Sequence, residues 1–247
     1  MATQFGPGPM TPAVKAILYA NVAVFLMTFF APQGVTSIAG LSPQDVLERG
    51  RVWELATYLF VHSPVAFTHI LFNMLAVWMF GVELERRWGT TEFVKYYAIT
   101  GIGAGISTVL ISLLPFDWAR PSYYAVTIGA SGAVYGLLMA WAILFPHRQL
   151  LFMFVFPLSA RVFVLLIGAI AFFSAIGTSG SGISNIAHLG GLLFGWLYLK
   201  GPRNMRPRDL RLELRYHLTR WRMERMRKKF NVHQGGRGHD NWRDRIH

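Results

Sequence analysis

Six apolar runs, each close to the length that crosses a hydrocarbon core, occupy most of the first 200 residues and leave the chain few ways to fold. They extend over about 12–31, 67–82, 93–114, 127–145, 162–176 and 183–199, against the roughly 20 helical residues that a bilayer requires. Inside a bilayer every backbone amide needs a partner from the protein itself, and runs of this length satisfy that as helices. The pattern predicts an all-α, polytopic membrane protein with six transmembrane helices. The stretch 150–176 is long for one helix and carries Pro157 and Arg161. Because a cation in the hydrocarbon core is costly, residues 146–161 are expected as an inner loop at the interface, with the fifth span starting at Val162. Only 15% of residues are charged and 53% are hydrophobic, which excludes an ordinary soluble domain.

The runs divide the chain into a Gly/Pro-rich, disordered lead at 1–11, a membrane domain at 12–200 and a basic tail at 201–247. The lead lacks the positive segment of a cleaved signal peptide, so the first run is expected to stay. Of the net charge of +12, +10 lies from Lys200 onward. Leu210, Leu214, Leu218 and Trp221 fall on one helical stripe amid arginines. Such a helix would lie on anionic lipid of the inner leaflet, and a solvated disordered tail is the equal alternative. No nucleic-acid recognition fold is visible, so nucleic acid is not an expected partner. Lys/Arg residues concentrate in the links after the second and fourth runs (Arg86, Arg87, Arg148, Arg161) and in the tail. Both termini are therefore expected to be cytoplasmic, in a multi-pass protein of the plasma (inner) membrane. With no Cys in the chain, disulfides, thiolate metal sites and cysteine nucleophiles are excluded.

Four polar residues stand out inside these runs: His69 and Asn73 on the second, Ser131 on the fourth and His188 on the sixth. These three runs enter from the same, non-cytoplasmic side. Counted from the start of each run at about 1.5 Å per residue, all four lie roughly 3 to 9 Å below that surface. Polar side chains at membrane depth face the bundle interior or a wet cavity and mark functional sites. Gly129 and Gly132 flank Ser131 and let a backbone come close; Gly132 and Gly136, like Gly191 and Gly195, also form faces on which helices pack. A serine beside a neutral histidine is a nucleophile with its base; each alone is equally an interhelical hydrogen bond. From Trp118 to Arg208 there is no Asp or Glu, which favours a Ser/His dyad over a triad. His69 and Asn73, one turn apart, could aim donors at an oxyanion or simply bridge helices. No run holds a pair of aspartates, and no H-E-x-x-H occurs.

Gly129-Ala130-Ser131-Gly132 followed by Tyr135 resembles the G-x-S-G motif of rhomboid intramembrane serine proteases. His69-Ile70-Leu71-Phe72-Asn73 resembles their H-x-x-x-N, Ala187-His188-Leu189-Gly190-Gly191 their A-H-x-x-G, and Glu85 to Gly89 their E-x-x-x-G. The resemblance spans about residues 12–200 and implies a six-span rhomboid-like bundle. It also implies Ser131 as nucleophile and His188 as base, with Asn73, His69 and the Ser131 amide as oxyanion hole and Tyr135 stacked on His188. No metal or cofactor is implied. The implied substrates are single-pass transmembrane proteins cut near the non-cytoplasmic surface, entering beside the fifth span. The glycine-rich link 177–182, with Phe172 and Phe173 as a removable wall, is the expected gate. One departure is visible: the family's first outer loop often carries Trp-Arg, whereas Glu54 follows Trp53 here and Arg51 precedes it. A non-proteolytic relative that binds membrane helices is the competing reading, and such a protein would be expected to lack Ser131 or His188.

Overall fold

A computed structural model describes residues 7–152, 155–176, 182–201 and 223. The chain divides into two units, Met1–Gly201 and Pro202–His247. The stripe from Leu210 to Trp221, residues 1–6 of the lead and residues 177–181 of the link lie outside the described residues.

The first unit is mostly helical. Its long helices are α1 (Pro12–Phe30), α5 (Phe67–Trp88), α6 (Thr90–Ser112), α8 (Ser131–Leu144), α9 (Ala160–Ile176) and α10 (Gly182–Lys200), with α2 (Pro32–Ala39), α3 (Pro43–Arg49), α4 (Glu54–Thr57) and α7 (Arg120–Tyr124) as short connecting helices. By length and composition α1, α5 and α6 are able to cross a membrane; α8 and α9 are apolar but shorter. Tyr19, Leu26, Phe29 and Phe30 of α1, and Leu165 and Phe173 of α9, are exposed. So much apolar surface on helices of this kind belongs to an integral membrane protein.

α10 packs against both α6 and α8, and these three helices form the interior around which α1, α5 and α9 are arranged. Small residues make the close packing work. A Cβ on Gly191 of α10 would run into the backbone carbonyl of Gly132 on α8, and one on Gly132 would sit 2.6 Å from Ala104 Cβ of α6. At the opposite end of the bundle, buried Glu85 of α5 accepts hydrogen bonds from the Ala13 and Val14 amides at 3.0 Å each and from Thr90 Oγ1 at 2.7 Å. A carboxylate at the start of α1 satisfies amides that have no partner within their own helix. The E-x-x-x-G segment thus ties α1, α5 and α6 together.

The connection 31–66 carries α2, α3 and α4 and a network of polar contacts. Arg51 Nη1 donates to Ser37 O at 2.7 Å and pairs with Asp45 at 3.1 Å and Glu54 at 3.4 Å. Trp53 Nε1 donates to Ile38 O at 3.0 Å, and fully buried Glu54 accepts from the Ser42 amide at 2.9 Å. The departure from Trp-Arg therefore leaves the loop anchored, with the cation supplied from two residues before the tryptophan. Burial pushes the Glu54 carboxyl up, and the Ser42 amide and Arg51 work against that rise. The loop also reaches the segment preceding α8: Leu41 and Thr127 exchange backbone hydrogen bonds of 2.8 and 2.9 Å, and the Tyr123 hydroxyl donates to Glu48 at 2.8 Å.

Two differences from the sequence expectation matter. The segment 146–161, expected as a loop, contains an antiparallel hairpin, β1 (Gln149–Phe152) paired with β2 (Phe156–Ser159), so the fold is not purely helical. Pro146 and Pro157 remove donors and prevent a continuous helix, and a two-stranded ladder pairs the intervening amides instead. Second, the run from Thr127 to Phe145 is helical only from Ser131. Thr127 pairs with Leu41, and Gly129 adopts φ +113°, so helical propagation starts after them.

Candidate active site

Ser131 is the first residue of α8, directly after a non-helical segment that the 31–66 connection holds in place. Thr127 is bridged to Leu41, the Gly129 amide donates to Tyr58 O at 2.9 Å, and the Ala130 amide donates to His62 Nε2 at 3.4 Å. The Thr127, Gly129 and Ala130 amides are thus occupied. The Ser131 N–H itself lies in the first helical turn, where no intrahelical acceptor exists. Gly129 is dictated twice over. Its φ of +113° disfavours any side chain, and a Cβ there would lie 2.7 Å from His69 Nε2. The glycine lets the His69 ring sit directly over the backbone that leads into Ser131.

The contact between Gly191 and Gly132 draws α10 close enough to α8 for His188 Nε2 to lie 2.9 Å from Ser131 Oγ. For Nε2 to accept the hydroxyl proton, a neutral ring carries its own proton on Nδ1. Nδ1 is buried and has no hydrogen-bond partner among the described residues. Tyr135, one turn beyond Ser131, stacks on the imidazole with ring centres 4.2 Å apart and planes 3° from parallel. That stacking fixes the plane in which Nε2 approaches the hydroxyl.

On α5, Asn73 is buried and donates one N–H to His69 O at 2.8 Å. The amide has a second N–H. A pocket of about 390 Å³ is lined by His69, Phe72, Asn73, Ser131, Tyr135 and His188, among others. Five of the residues singled out in the sequence therefore meet in one cavity. Gly129 and Gly132 do not line it: the first lies beneath His69, and the second faces Ala104 and the Tyr58 hydroxyl. Phe172 lines a separate apolar groove with Leu110 and Ile111 of α6 and Leu189 and Leu193 of α10, and Phe173 is exposed and lines neither cavity.

Sequence reasoning passed over His62. It is fully buried, seven residues before His69, with ring centres 5.0 Å apart. Ser63-Pro64 between them breaks any helical phase. The spacing could not suggest that the two rings meet.

A family model described as the Rhomboid domain matches residues 49–201. The chain is 33% identical over 153 residues to Rhomboid protein 1, mitochondrial, of Saccharomyces cerevisiae, covering 60% of this chain and 43% of that protein. It is 30% identical over 157 residues to Rhomboid protease GluP of Bacillus subtilis, covering 64% and 27% respectively. Over 235 residues it is 27% identical to Rhomboid protease AarA of Providencia stuartii, covering 84% and 79%. The aligned segment is thus less than half the length of the first two relatives.

Proposed function

Because the chain belongs to the rhomboid family, we propose that it is an intramembrane serine protease that hydrolyses peptide bonds of single-pass transmembrane proteins. Ser131 is the nucleophile, His188 the general base, and the Ser131 amide with Asn73 and His69 the oxyanion hole. The observation that carries this reading is the 2.9 Å contact between Ser131 Oγ and His188 Nε2 inside a pocket shared with His69 and Asn73.

The chemistry follows from the donors and acceptors present. Ser131 Oγ attacks the scissile carbonyl carbon as its proton passes to His188 Nε2. The carbonyl oxygen becomes an oxyanion that the Ser131 N–H, the second Asn73 N–H and His69 stabilise. Collapse breaks the C–N bond, and the leaving amine takes the proton from His188. Water then attacks the acyl-serine, again giving its proton to His188, and Ser131 is regenerated with release of the new carboxyl terminus.

The six long helices are read as six spans, with both termini cytoplasmic and the dyad nearer the opposite surface. α8 has 14 residues. At 1.5 Å per residue it is about 21 Å long, so with its inner end at the interface Ser131 lies about 9 Å inside a core of about 30 Å. Residues 12–200 form the membrane domain, and the basic tail binds anionic lipid of the inner leaflet. Water and an unwound substrate segment reach Ser131 from the non-cytoplasmic side.

Purified protein is incubated in detergent with a generic transmembrane substrate, and a fluorophosphonate probe reports the reactive serine. Ser131→Ala and His188→Ala are expected to abolish cleavage and probe labelling while the variants remain folded. Asn73→Ala is expected to lower turnover by roughly 10²- to 10³-fold, the loss typical of one oxyanion donor. Near-normal turnover in Ser131→Ala would sink the assignment. A folded wild type that binds the substrate but neither cleaves it nor reacts with the probe would favour a non-proteolytic membrane-helix binder.

A further inference from the structure

His62 is a buried imidazole on the outer loop that none of the steps above uses. Both of its nitrogens have a partner, and the partners leave the ring one form. Phe60 O, 3.3 Å from Nδ1, can only accept, so Nδ1 carries a proton. The Ala130 amide, 3.4 Å from Nε2, can only donate, so Nε2 presents its lone pair. His62 is therefore neutral, in a single tautomer, and fully buried. Burial, with the neighbouring His69 adding to it, pushes His62 down to about 4, which keeps that form at neutral pH.

What His62 holds is the residue before the nucleophile. Ala130 is the N-cap of α8, and its carbonyl accepts the Val134 amide at 3.0 Å. The Ala130 N–H belongs to the Gly129–Ala130 peptide plane, one plane before that of the Ser131 N–H, so with one plane held by His62 and the next by the Val134 amide the turn into Ser131 is pinned from both sides. The His62 ring also abuts that of His69, which covers Gly129. From this geometry we infer that His62 is a positioning residue, whose Nε2 accepts the Ala130 N–H so that the Ser131 amide and the His69 ring are set for the developing oxyanion. The inference rests on the proteolytic reading of the Ser131/His188 site. It assigns the outer loop a catalytic consequence without any contact to substrate.

Such a role is in the transition state and not in substrate capture, so it separates kcat from KM. His62→Gln keeps an acceptor at the reach of Nε2; His62→Leu has similar bulk and none. His62→Leu is expected to lower kcat, and the rate of Ser131 labelling by a fluorophosphonate, by about 10- to 100-fold at nearly unchanged KM. His62→Gln is expected to recover most of that loss, both rates being expressed per folded molecule. Equal kcat in the two variants would overturn the inference, as would a rise in KM that accounts for the whole effect. In the wild type, amide exchange supplies a reading that needs no variant. The Ala130 N–H is expected to exchange more slowly than the Ser131 N–H, and free exchange at Ala130 would overturn the inference however the variants fold. A wild type with no cleavage and no labelling would instead remove the proteolytic reading on which the inference rests.

Discussion

Gly129 shows how narrowly one residue is specified here. A methyl group at this position meets a φ of +113° and a His69 Nε2 at 2.7 Å, so Gly129→Ala must either twist the backbone or displace the ring. Holding a side chain in such a conformation costs about 1–3 kcal/mol. A catalytic group displaced by about 1 Å loses on the order of 10² in rate. Gly129→Ala is accordingly expected to reduce kcat by about that factor with a modest fall in melting temperature, measured by turnover and thermal denaturation in detergent. Unchanged kcat would show that His69 is not part of the oxyanion site. The Gly-x-Ser-Gly pattern was legible in the sequence, and so was the need for a close approach. That the approaching group is His69 was not, because it comes from a helix about 60 residues away in the chain.

Among the elements, the pair α8 and α10 controls the distance between serine and histidine. Gly191 of α10 rests on the Gly132 carbonyl with no room for a Cβ. Gly168 of α9 is a useful contrast, since a Cβ there would meet only the end of the Leu192 side chain at 3.2 Å. Gly191→Ala is expected to push the helices apart, costing about 1–3 kcal/mol in stability and sharply lowering Ser131 labelling. Gly168→Ala is expected to leave both nearly unchanged. Melting temperature and fluorophosphonate labelling of the two variants test the contrast, and equal behaviour would deny the Gly191 contact its role. The small-residue faces on these helices were readable from the Gly-x-x-x-Gly spacing. The hairpin between α8 and α9 was not, because its strands pair across a turn and carry no period-two alternation: Gln149-Leu150-Leu151-Phe152 and Phe156-Pro157-Leu158-Ser159 are apolar nearly throughout.

At the scale of the unit Met1–Gly201, hydrogen bonds join the 31–66 connection to the segment before Ser131. Arg51 ties three segments of that loop, through Ser37 O, Asp45 and buried Glu54, and the loop in turn holds Thr127, Gly129 and Ala130. Arg51→Ala leaves Glu54 buried with the Ser42 amide but without its cation, a loss of about 1–3 kcal/mol. The expected outcome is a lowered melting temperature together with reduced turnover, although Arg51 touches no site residue. Normal turnover in a folded Arg51→Ala sample would show that the loop and the segment before Ser131 are uncoupled. The sequence by itself determined that the chain is a mostly helical membrane protein, and it singled out His69, Asn73, Ser131, Tyr135 and His188, which line one pocket. Apolar length and intrahelical hydrogen bonding are satisfied one run at a time, and the motif residues stand out because polar groups are rare in such runs. Only the tertiary structure decided that α8 starts at Ser131, that Phe172 lines a different groove and that His62 reaches Ala130. It also set the 2.9 Å between Ser131 and His188. Those features are contacts between segments 57 and 68 residues apart, in the case of Ser131 with His188 and of His62 with Ala130. They depend on how closely the helices and the 31–66 connection approach one another, which no local pattern in the chain encodes.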